Sequence, residues 1–193
     1  MTASKKPVES GYLVGQFLVA MPAMADPRFE RSVIYVCAHS AEGAMGLIVN
    51  KPLKDIKLLE ILGQLGIEPK IGVDKIHVHR GGPVETARGF VLHSADYERD
   101  GTLKVNPEIC LSATTDILRA IASGEGPERS LMALGYSGWG GGQLDDEIKQ
   151  NAWLNVPGDS ELLFSEDFDA KWQRVMAKIG VSPALLSGVA GHA

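Results

Sequence analysis

SVIYVCAHSAEGAMGLIVN, residues Ser32 to Asn50, decides the architecture. Ser32 to His39 is apolar on both faces, as a central buried strand would be, and the polar turn Ser40 to Gly43 leads directly into MGLIVN. Two strands joined by so short a loop form a hairpin, so antiparallel pairing enters the sheet early. Upstream, GQFLVAM is a first strand that Pro22 ends. Downstream, Asn50 and Pro52 break the sheet, and Leu58, Leu59, Leu62 and Leu65 recur at helical spacing before Gly66 stops the helix.

The rest of the chain repeats this grammar. KIHVHRGGPVETARGFVLHS carries two alternating strands around a glycine-proline connection, again hairpin-like. Thr102 to Ser112 holds one or two further short strands. A helix follows from about Thr114 to Ser123, with Ile117, Leu118 and Ile121 on its apolar face and Gly124 at its end. SLMALGY is a buried strand that enters a glycine-rich turn and then a helix beginning near Gln143. In the last helix Ser165 stands as N-cap, acids occupy the first turn, and Phe168, Trp172, Val175, Met176 and Ile179 make one stripe. Hairpins alternating with single helices favour an α+β fold, because a doubly wound parallel sheet needs a crossover between most strand pairs. A mixed, largely antiparallel sheet is expected, in one domain over 11–193 behind a disordered tail of residues 1–10.

Composition narrows the function classes. The 193 residues carry a net charge of −5, which opposes direct nucleic-acid binding because phosphate recognition relies on clustered Lys and Arg. No apolar run is long enough for a membrane span, and Glu9 and Ser10 interrupt any secretory h-region, so a cytoplasmic location is expected. Cys37 and Cys110 lie in apolar runs far apart in sequence and are expected as reduced, buried thiols.

Four segments carry a resemblance: FLVAMPAMADPRFERSVIYVCAHSAEGAMGLIVNKP, GGPVETARGFVLH, LGYSGWGGGQLDDEIKQNAWL and the C-terminal LLSGVAGHA. Together, in this order, they resemble the YqgE/AlgH family of bacterial proteins, and the match spans most of Gly11 to Ala193. The resemblance implies an α+β domain whose strongly curved, largely antiparallel sheet closes partway into a barrel. It also implies a regulatory role described at the level of cell phenotype, without a named reaction. The His77/His79 pair lies outside the family's motifs.

The candidate site residues centre on YSGWGGGQ. Glycines there permit sharp turning and close backbone approach, so Trp139 is expected on an exposed contact surface with Tyr136, Ser137 and Gln143. In MADPRFERS, Asp26 before Pro27 starts a turn, and Arg28 and Arg31 could form a rim that recognises a carboxylate or phosphate; the plainer expectation is a structural turn. Asn50, ending the third strand, joins this candidate surface, as does His93. A rival enzyme reading places a small hydrolase or transferase around Ser137 and His93, although GYSGW has Trp139 where a nucleophile elbow needs glycine. Phosphate binding at the helix after the glycines is disfavoured, since Asp145, Asp146 and Glu147 already answer the helix dipole. His77 and His79 share a strand face and could chelate a metal if His93 approached, but they alternate with Ile76 and Val78 as an exposed strand face would, which is the plainer expectation, so neither metal nor cofactor is expected. The expected partner is a protein or a small molecule.

Overall fold

The computed structural model describes residues 12–182 and 184. Both the expected N-terminal tail and the LLSGVAGHA segment lie outside the described residues. Ten strands form one curled sheet: β1 Phe17–Ala20, β2 Val33–Ser40, β3 Gly43–Ile48, β4 Pro52–Lys57, β5 His77–Arg80, β6 Val84–Ser94, β7 Leu103–Lys104, β8 Ile109–Ser112, β9 Ser130–Gly140 and β10 Trp153–Val156. Among the described residues five α-helices flank them: α1 Leu58–Gln64, α2 Thr115–Ser123, α3 Gln143–Lys149, α4 Ser160–Leu163 and α5 Phe168–Ala177. The main path runs β10-β1-β2-β3-β9-β6-β8-β7. Every neighbouring pair in it is antiparallel. The result is the expected α+β half-barrel.

The β2–β3 hairpin forms as its sequence requires, with Ile34 opposite Ile48 and Ser40 opposite Gly43. The second expected hairpin does not form. β5 and β6 are not paired; β9 lies between them, parallel to β5 at Met132–Leu134 and antiparallel to β6 over Ser130–Leu134. The Gly81-Gly82 connection is therefore a crossing, pressed so close to β9 that a Cβ on Gly82 would lie 2.2 Å from the Tyr136 carbonyl. Pro52 does not end the sheet either. It opens β4 on the sheet's border, opposite His79, where a missing N–H at the first strand position is tolerated.

Helix boundaries follow local chemistry. Gly124 closes α2 at φ 82°, as its position predicts. The N-cap of α5 is Asp167, whose carboxylate accepts from Ala170 N, whereas the Ser165 hydroxyl, just upstream, accepts from Arg174 at 2.8 Å. Of the expected stripe, Trp172, Val175 and Met176 are buried and Ile179 is exposed.

Three clusters hold the sheet. One face gathers Phe17, Tyr35, Leu47, Phe90, Leu92, Leu111 and Ala133 into a continuous core closed by Leu163, Trp172, Val175 and Met176 from α4 and α5. On the other face α1 and α2 cover Val78, Val91 and Met132, while α3 and β10 cover Leu18, Ile34, Ile48 and Trp139. Burial on both sides explains why β1, β2 and the start of β9 are nearly continuous apolar runs.

Candidate functional site

The glycine-rich segment behaves differently from its sequence expectation. β9 continues through Gly138 to Gly140, and of glycines 138, 140, 141 and 142 only Gly142 has positive φ, at 75°. Gly141 is needed for close approach, since a Cβ there would sit 2.7 Å from Ala41 O. Trp139 is not an exposed aromatic; it is 7% exposed and packs against Trp153 at 6.0 Å. Its indole N–H donates to Glu147 Oε2 at 2.7 Å, and the Trp153 indole donates to the same oxygen at 2.9 Å. Gln143 completes the lock, donating to Glu147 Oε1 and accepting from Gly140 N. Alternation along β9 is the reason: Tyr136 and Trp139 fall on opposite faces, and α3 covers the tryptophan.

Tyr136 marks a different place. It is half-buried on the inner face, edge-on to Phe90 at 5.7 Å, and borders a groove of about 870 Å³ at one end of the inner core. The floor is small or apolar. Ala38, Met45 and Gly138 stand side by side across β2, β3 and β9, and Cys37, Phe90 and Leu103 extend it. Gly138 keeps this floor open, because a Cβ there would press on the Tyr136 ring at 3.2 Å. Charge collects on the rim: Arg88 pairs with Glu85 at 3.3 Å and lies 5.1 Å from the Phe90 ring centroid, with Lys104, Glu42 and His39 beyond. Glu85 adopts φ 46°, an uncommon conformation for a residue with a side chain. His39 is oriented by Leu13 N, which donates to its Nδ1 at 3.0 Å.

Asp26, Arg28, Arg31 and Asn50 make local contacts within the scaffold. Asp26 accepts from Arg28 N and grips the Arg28 guanidinium through both oxygens, the Nη2 contact at 2.7 Å; this hydrogen bonding holds the Asp26 carboxyl below its ordinary value. Asn50 ties two strands' ends together, accepting from Val33 N and donating to Arg31 O, both at 2.9 Å. The Arg31 guanidinium stacks 4.6 Å from the Trp172 ring centroid. Thus the plainer expectation for MADPRFERS describes its geometry.

The rival catalytic pair does not assemble. His93 lies opposite Ser130, and Ser137 is seven positions further along β9, which separates them by roughly 20 Å at strand spacing. Ser137 is buried and donates to Gly81 O at 3.1 Å, so its hydroxyl secures the crossing strand. The histidine triplet also disperses, because β9 separates β5 from β6; no cluster suited to a metal occurs among the described residues. His77 and His79 instead meet the Phe168 ring at 5.1 and 4.7 Å.

Known proteins share both the sequence and the curled sheet. A family model described as AlgH-like matches residues 17–184. The chain belongs to the AlgH-like family. A UPF0301 protein of Rhodospirillum rubrum is 57% identical over 183 residues, covering 95% of each chain. Another from Bradyrhizobium diazoefficiens is 52% identical over 200 residues, covering all of this chain and 94% of its own. Among solved structures, the AlgH protein of Pseudomonas aeruginosa superposes over the whole of both chains with a TM-score of 0.78 at 42% identity. A protein of Corynebacterium diphtheriae shares the fold at TM-score 0.73 and 20% identity over 92% of each chain. For this AlgH-like chain, the residues that line the groove with Tyr136 include several that motif reasoning passed over, namely Ala38, Met45, Arg88, Phe90 and Lys104. The signal in the sequence was the inward phase of Tyr136 and the glycine two positions beyond it.

Proposed function

We propose that this AlgH-like protein is a binding and regulatory module whose ligand occupies the groove beside Tyr136. One observation carries the proposal: the concavity bordered by Tyr136 combines an apolar, aromatic floor with a charged rim, the composition of a small-molecule or peptide site. Glu85 pairs with Arg88, and of the other rim groups, Lys104, His39 and Glu42, the first two are the ones that would meet an anionic end group. The fitting ligand has an apolar or aromatic body and a carboxylate. The net charge of −5 supports such a ligand, or a protein partner, over nucleic acid. A cytoplasmic location is supported by two buried free thiols, and no helix among the described residues is long and apolar enough to cross a membrane.

The test is a thermal-shift titration with naphthalene carboxylates of wild type and Ala38→Trp, a substitution that fills the groove from an exposed position. Stabilisation of wild type with loss of the shift in Ala38→Trp supports the proposal. An equal shift in both proteins, or none in wild type, overturns it.

A further inference from the structure

On the opposite face of the sheet, between α1 and α2, lies a second groove of about 550 Å³, within the roughly 300–1,000 Å³ range of small-molecule sites. Its walls are largely apolar: Ile61 from α1 and Leu65 at that helix's C-cap, Ile117 and Leu118 from α2, with Met132 and Leu134 below. Ser112, the last residue of β8, also lines it. Its hydroxyl lies 2.8 Å from His93 Nε2, the two side chains meeting diagonally across β6 and β8.

The hydrogen bonds around this pair have one consistent direction. His93 Nδ1 is 2.9 Å from Ser94 O, a carbonyl that can only accept, so the ring proton sits on Nδ1 and Nε2 is left as an acceptor. Ser112 therefore donates to His93. Thr102 Oγ1, 3.3 Å from Ser112 Oγ, accepts from Arg99 N and donates onward to Ser112. A serine bonded to a neutral imidazole whose tautomer is fixed by a further acceptor has the arrangement of an activated nucleophile. Donors for a developing oxyanion are close in the chain. Thr114 and Thr115 line the same groove at the start of α2, and the Thr114 side chain does not cap the helix, leaving first-turn N–H groups available.

We propose that Ser112 and His93 form a nucleophile–base pair that hydrolyses carboxylic esters whose acyl chain lies in the groove between α1 and α2. Ser112 Oγ attacks the acyl carbon while its proton passes to His93 Nε2. The ester C–O bond breaks, the leaving alkoxide takes that proton, and the acyl group remains on Ser112. Water then attacks the acyl-serine, gives a proton to His93, and the collapsing intermediate releases a carboxylic acid as His93 returns the proton to Ser112. Thr102 is a positioning residue. This site is separate from the Tyr136 groove, and a hydrolytic activity here goes beyond the binding role proposed above.

The experiment combines an alkyl fluorophosphonate probe with turnover of p-nitrophenyl butyrate, octanoate and decanoate by the full chain. The proposal requires a covalent adduct on Ser112 by peptide mass spectrometry, ester turnover abolished in Ser112→Ala, and labelling at least about a hundredfold slower in His93→Gln, the scale of general-base assistance. Absence of an adduct on wild-type Ser112, or ester turnover undiminished in a folded Ser112→Ala, overturns the proposal. If Ser112→Ala fails to fold, Ser112→Cys keeps a nucleophile at the position: chloroacetamide should then modify the introduced thiol far faster than Cys37 or Cys110, and equal rates overturn the proposal.

Discussion

The Trp139 indole donates to Glu147 Oε2 at 2.7 Å, joining the end of β9 to α3 across the glycine turn. Because the Trp153 indole uses the same oxygen, one carboxylate satisfies two part-buried donors and fastens the β10 end of the sheet as well. The turn glycines let the chain reverse tightly enough to bring Glu147 back over the tryptophans.

Trp139 should consequently behave as a core residue. Trp139→Ala and Trp172→Ala are each expected to cost about 3–5 kcal/mol, the usual range for emptying a buried aromatic site. Glu147→Ala should cost about 2 kcal/mol or more by stranding two indole donors, with Glu147→Gln milder because an acceptor remains. Denaturant melts of the four variants decide this; a Trp139→Ala protein as stable as wild type would contradict the lock.

Acid sensitivity should trace to His79. The ring is 1% exposed and its Nε2 has no hydrogen-bond partner among the described residues; burial, and secondarily the nearby Lys171 ammonium, pushes its pKa down to about 4. Below about pH 6.5 the unfolded chain takes up a proton that the folded ring refuses, so stability falls as pH drops from about 6.5 to 4, by on the order of 2–3 kcal/mol. His79→Leu should flatten that part of the curve. Lys171 adds a slope in the same direction at higher pH, since burial pushes it down to about 7 and folding then favours the neutral amine between about pH 7 and 10.5. Thermal melts across pH 4–10 read both segments.

Both cysteines should resist thiol reagents in the native protein. Cys37 is 2% exposed, with burial pushing its thiol up to about 12, and Cys110 is fully buried. Native protein should react slowly with a disulfide reagent and unfolded protein should titrate two thiols. Rapid native modification of either would show that these strands open locally.

The strands and helices were legible wherever local chemistry sets them. The run apolar on both faces and the polar turn after it fixed the β2–β3 hairpin, and Gly124 fixed the end of α2. Pairing between distant strands was not legible: nothing in RGGPVE distinguishes a hairpin from a crossing that admits β9, because that choice depends on a strand some fifty residues away. Trp139 misled for a related reason. Glycines signal close approach as readily as exposure, and here they bring Glu147 and Ala41 against β9. Tyr136 could be assigned from its phase in β9, but the groove it borders gathers residues from β2, β3, β6 and β7, which only the closed sheet brings together.

The binding role is tested most sharply by amide chemical-shift mapping of isotope-labelled protein against a fragment set of aromatic carboxylates. Saturable shifts should cluster at Ala38, Met45, Arg88, Phe90, Tyr136 and Gly138 and be lost in Ala38→Trp with the fold intact. Saturable binding that maps elsewhere, or a groove that stays silent to every fragment, would contradict it.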